Sequence, residues 1–155
     1  MADDTTFPFE NLTRFWMNEV RPPIGQALEL VPDDKLDWAP AEDMITLGNI
    51  FMHIAEASDW WISEVMYGEG FVDYTPCPSA PRDKIAIMLD GHWRRLEDLF
   101  AHTERLEPIY DMSKYGRERK PTGWWIFMHL LEHDIHHRSQ INHYLRILGI
   151  KPPRI

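Results

Sequence analysis

The chain of 155 residues has a single cysteine, Cys77, so it cannot form an intrachain disulfide, and its stability must come from burial instead. It also lacks a long apolar run. The richest segment, around Trp124 to Leu131, is broken by His129 and followed by Glu132, well short of the roughly 18 to 20 residues that span a bilayer. Positive charge is scarce: 16 Lys and Arg stand against 25 Asp and Glu, a formal net charge of −9. That balance repels the phosphate backbone of nucleic acid and an anionic membrane face, so neither is expected as a partner. Met1 to Thr6 lack the basic start and apolar stretch of a secretory signal, and a cytoplasmic location is expected. Alternating β-branched runs are few, with no Asn-Gly or Asp-Gly hairpin between them, which argues against a sheet. Cys77 lies in the stretch Thr75-Pro76-Cys77-Pro78 and reads as an incidental loop thiol.

What is present is helical patterning. A length of 155 residues suits one domain, 1–155, with one core. The first helical segment is expected from Phe9 to Val31, with Leu12, Phe15, Trp16 and Val20 as its apolar stripe and a kink or break at Pro22-Pro23. Thr46 is read as the N-cap of a second helix running to Tyr67, before Gly68 and Gly70. A third begins near Pro81 and runs through Trp93 to Phe100. After a long polar connection at 101–121, the last opens at Thr122 and closes at Gly149, with Pro152-Pro153 beyond. The fold class is therefore all-α, a four-helix bundle. The densest basic cluster, Lys114, Arg117, Arg119 and Lys120, falls in the 101–121 connection and reads as a solvated loop.

Five of the eight histidines fall in the last helix: His129, His133, His136, His137 and His143. Residues four apart share a helical face, so His129 with His133, or His133 with His137, can grip one ion. At 100° per residue, His133 and His137 share a stripe with Ile126, Leu130, Ile141 and Tyr144 and should point into the core, whereas His136 and His143 turn with Glu132 and Ser139 to solvent. An inward imidazole needs a partner, which a metal would supply. His53, flanked by Ile50, Ala57 and Trp60 in the second helix, is the candidate third ligand.

Two stretches carry a family resemblance. His133-Asp134-Ile135-His136-His137-Arg138-Ser139-Gln140, followed by Tyr144-Leu145-Arg146, Leu148-Gly149 and Pro152-Pro153, resembles the C-terminal signature of the DinB/YfiT-like superfamily. Leu36-Asp37-Trp38-Ala39-Pro40 and Thr46 to Ile54 resemble the segment that supplies that family's first ligand, and the resemblance covers nearly the whole chain. It implies a four-helix bundle, usually a homodimer, holding one divalent ion, zinc or nickel foremost, on His53, His133 and His137. Ser139 stands where the family usually has glycine, a mild departure. The resemblance further implies a thiol-dependent S-transferase or related enzyme, with a low-molecular-weight thiol as cosubstrate and a small-molecule substrate. A metal-dependent hydrolase and a noncatalytic metal-binding or small-ligand-binding module are the alternatives.

Around the ligands, Glu56, Asp59, Glu132 and Asp134 are candidates to orient imidazole N–H groups, and Glu56 is also a candidate ligand in a two-histidine-one-carboxylate site. Trp60, Trp61, Trp124, Trp125 and Tyr144 are candidates to line an apolar pocket, or else to pack a core or dimer interface.

Overall fold

The computed structural model describes residues 8–73 and 78–155, so Cys77 lies outside the described residues. Four helical rods carry the chain. The first is α1 (Phe9–Phe15), a π-helical stretch Trp16–Val20 and α2 (Arg21–Leu30), continuous with one another. The second is α3 (Leu47–Ser58), extended by a π-helical stretch Asp59–Met66. The third and fourth are α4 (Arg82–Ala101) and α5 (Gly123–Ile147). No strand occurs among the described residues, apart from an isolated antiparallel bridge between Ile109 and Thr122. No described helix is long and apolar enough to cross a membrane.

The helix ends follow local chemistry. The hydroxyl oxygens of Thr46 and Thr122 accept the N–H of Asn49 at 3.4 Å and of Trp125 at 3.1 Å, satisfying one orphan donor of each helix start. At the end of α5, Gly149 adopts φ 76°, and the N–H groups of Gly149 and Ile150 turn back to the carbonyls of Arg146 and Leu145. That pair is a Schellman motif, and the positive φ is why glycine stands there. The C-terminal carbonyls of α2 are capped from another rod: Arg82 donates to the Leu28 and Val31 oxygens while its guanidinium pairs with Asp33 at 2.7 Å. A guanidinium there also complements the negative end of the helix.

Pro22-Pro23 does not break the first rod. The two prolines fall in the opening turn of α2, where missing N–H groups cost least, and the widened π turn before them absorbs the mismatch, with Arg21 N–H bonding the Trp16 oxygen. Pro23 leaves the Glu19 carbonyl without its α-helical donor. Arg138, 7% exposed on α5, reaches across and donates to that oxygen at 3.0 Å.

The core lies between α3, α4 and α5, closed by the first rod, with Trp16, Ile24, Leu47, Ile50, Phe51, Ile54, Ile85, Leu96, Phe127, Leu130 and Ile141 essentially inaccessible. On α5 the apolar residues expected in the core, Ile126, Leu130, Ile141 and Tyr144, are buried, but the buried face reaches further round the helix than their stripe, and His133 and His137 are only half-buried at its edge. That face also takes in Phe127, Asp134, Arg138 and Leu145, so the histidines flank the core rather than fill it. Asp134 is fully buried, and its Oδ2 accepts both the indole N–H of Trp16 and Nε2 of His92, each at 2.8 Å. The 101–121 connection is also more ordered than a polar loop: Leu106 and Met112 are inaccessible, and backbone bonds from Tyr110 to Pro121 and Met112 to Arg119 fold it on itself. Gly123 passes so close to it that a Cβ would lie 2.1 Å from the Arg105 oxygen.

Candidate metal centre

His53 comes from the middle of α3, and His133 and His137 from successive turns of α5, so two packed helices present three imidazoles to one point. One donor nitrogen from each lies within 4.8 Å of the other two. Nε2 of His53 and Nε2 of His133 are 3.1 Å apart, and the ring centroids of His53 with His137 and His133 with His137 are 4.9 and 4.3 Å apart. Zinc or a similar ion at about 2.0–2.1 Å from each nitrogen holds tetrahedral donors about 3.3 Å from one another, so small rotations suffice to close the trio on a metal.

The electrostatics favour a cation too. Burial, reinforced by the neighbouring imidazoles of His137 and His53, drives the His133 pKa down to about 2. Burial lowers His137 as well, opposed by its hydrogen bond to Gln140. Both are therefore held as neutral rings with lone pairs to give, the form a metal needs. His133 Nδ1 is buried without a hydrogen-bond partner among the described residues, and it is Nε2, 3.1 Å from Nε2 of His53, that faces the cluster. Gln140 Oε1 meets His137 Nδ1 at 2.9 Å, which fixes that ring and turns its Nε2 toward the cluster. Gln140 sits three residues beyond His137, and this spacing was the available signal for a role that the sequence reading did not assign.

The surrounding residues meet expectation in part. Glu56 approaches His53 Nδ1 at 3.8 Å, behind the ring rather than among the donor nitrogens, and burial raises its pKa while His53 opposes the rise. Asp134 is neither solvated nor beside a ligand imidazole, being spent on Trp16 and His92. Asp59 accepts the Val72 N–H at 2.9 Å and so ties down the segment after the second rod. Glu132, His136 and His143 are exposed, and His129 lies between, its pKa lowered by burial. Of the aromatic candidates, Trp60 and Trp61 line a cleft of about 520 Å³ together with His53, Glu56, Phe71, Arg117, His129 and His133. Trp125 stacks on His129 behind them, Trp124 donates to Glu107, and Tyr144 is buried with its hydroxyl on the Ile45 oxygen.

Fold and site together define a helical bundle with a three-histidine cluster able to hold a metal ion at the edge of an aromatic cleft. The chain belongs to the DinB family, whose sequence model matches residues 1–155. Its fold is similar to that of a DinB-like protein from Bacillus cereus ATCC 10987, with a TM-score of 0.72, 22% identity, and coverage of 94% of this chain and 96% of that one. Among curated proteins there is no match.

Proposed function

We propose that His53, His133 and His137 hold one divalent ion, zinc or nickel, and that the protein is a metal-dependent enzyme of the thiol-using S-transferase type acting on a small molecule in the adjoining cleft. The observation that carries this reading is the convergence of three imidazole donors beside an open cleft, since three protein ligands leave a coordination position free, as catalytic sites do and closed structural sites do not. When bound, the ion supplies Lewis acidity, which holds a thiol as thiolate or lowers the pKa of water. The chain's own residues orient the ligands through Gln140, exclude water with Trp60 and Trp61, and provide in Glu56 a carboxylate of raised proton affinity at the cleft wall.

The Glu56 position favours a second reading, hydrolysis with Glu56 as proton acceptor. Cobalt-substituted protein separates the two. Glutathione or another low-molecular-weight thiol should introduce a sulfur-to-metal charge-transfer band, and transfer to an electrophile should need that thiol. Absence of the band with every thiol tried, combined with ester or amide turnover without thiol, would replace transfer by hydrolysis. With neither result, the noncatalytic binding module is the better account.

A further inference from the structure

The basic cluster of the 101–121 connection, read from sequence as a solvated loop, is placed by the fold at the mouth of the cleft. Two of its four cations are spent on holding the connection in place: Lys114 pairs with Glu64 at 3.4 Å and Lys120 with Asp111 at 3.2 Å. The Tyr115 hydroxyl donates to the same Glu64 at 2.7 Å, and its ring packs at 4.6 Å on Trp60, a wall of the cleft. Arg119 lies 3.5 Å over the Trp125 ring, which also meets the stacked His129 and Trp61. Arg117 is left lining the cleft itself, exposed and without an ion pair among the described residues. A chain of net charge −9 thus carries a local positive rim at the opening to its histidine cluster.

Beside that rim the walls are aromatic. Trp60 and Phe71 meet edge to face at 4.8 Å, and Trp61 continues the surface toward His129 and His133. A volume of about 520 Å³ is in the range of small-molecule sites, and apolar walls with a few directed polar groups are how such sites obtain orientation. The acid in the lining, Glu56, stands at the His53 side with Asp73 within electrostatic reach of it, so a ligand's negative charge is turned from that side toward Arg117 and its body to the aromatic wall.

We propose that the cleft takes a small organic carboxylate with a flat apolar body, the body lying against Trp60, Trp61 and Phe71 and the carboxylate held by Arg117 at the mouth. This rests on the reading of the cleft as the substrate chamber of the histidine centre, and it narrows the substrate class of that reading. A guanidinium meets a carboxylate through paired N–H donors, so charge and shape are both selected.

Calorimetric titration of the metal-loaded protein with 3-phenylpropanoate, its amide and the corresponding amine tests it. The carboxylate should bind about tenfold more tightly than the amide, the size of one charge-assisted contact at a cleft rim. In Arg117→Gln that preference should fall to within about twofold, and in Arg117→Glu the amine should become the best of the three. The preference should survive in metal-free His133→Ala. Equal binding of the three ligands, no binding of any, or a preference kept in Arg117→Gln overturns the assignment. Loss of the preference in His133→Ala alone overturns it too, because the carboxylate would then sit on the metal. A protein that retains no metal yet shows the Arg117-dependent preference would refute the proposed function while leaving this inference standing.

Discussion

Asp134 places two hydrogen bonds on one oxygen, and both donors, Trp16 on the first rod and His92 on α4, are inaccessible to water. One carboxylate thus joins three rods through groups that solvent cannot rescue. Replacing it by alanine leaves an indole N–H and an imidazole unpaired in the core, and Asp134→Ala should cost about 3 kcal/mol or more by urea denaturation. A loss below about 0.5 kcal/mol would show that the triad is incidental. The neighbouring His133 predicts a pH dependence. Its pKa falls from 6.5 in the unfolded chain to about 2 in the fold, so between those values the unfolded state binds the extra proton. Stability of the metal-free protein is then full above about pH 6.5 and declines as pH falls, by at most about 1.4 kcal/mol per pH unit for this one group. His133→Gln should flatten the decline between pH 7 and 5, and parallel profiles for the two proteins would contradict the assignment.

At the scale of elements, the helix ends were the most legible features, because Thr46, Thr122 and Gly149 act through bonds to residues three to five positions away. The interior of α5 was less legible. The apolar members of its core face were legible, but Asp134, Arg138 and Asn142 are buried beside them, and an apolar count passes over such residues. The partners of Asp134 and Arg138, which are Trp16, His92 and the Glu19 carbonyl, are supplied by other rods and leave no trace in local spacing. Pro22-Pro23 was legible in part, since the segment does divide into α1 and α2, but a sequence shows the lost N–H groups and not the π turn or the arginine that compensates. If Arg138 replaces the donor that Pro23 lacks, the two positions are coupled. Arg138→Met should destabilise the protein by about 1–3 kcal/mol, and by clearly less in a Pro23→Ala background, where residue 23 regains an N–H for Glu19. Strict additivity of the two changes would count against the compensation.

For the whole molecule, a helical bundle was written in the spacing of apolar residues, and the three histidines that spacing and resemblance singled out do meet, from α3 and α5, within 4.8 Å. The cleft beside them was readable only in part: Trp60 and Trp61 were among its candidates, but Phe71 and Arg117 reach it from connections whose course depends on contacts with Glu64, Trp60 and Asp59. The central claim is that this meeting point holds an ion. Elemental analysis of protein reconstituted with zinc or nickel and passed through a desalting column tests it most directly. One ion per chain is the expected result, lost in His53→Ala, His133→Ala and His137→Ala and retained in His136→Ala and His143→Ala. A wild-type protein that keeps no metal, or a His133→Ala variant that keeps it while His129→Ala loses it, would contradict the site described.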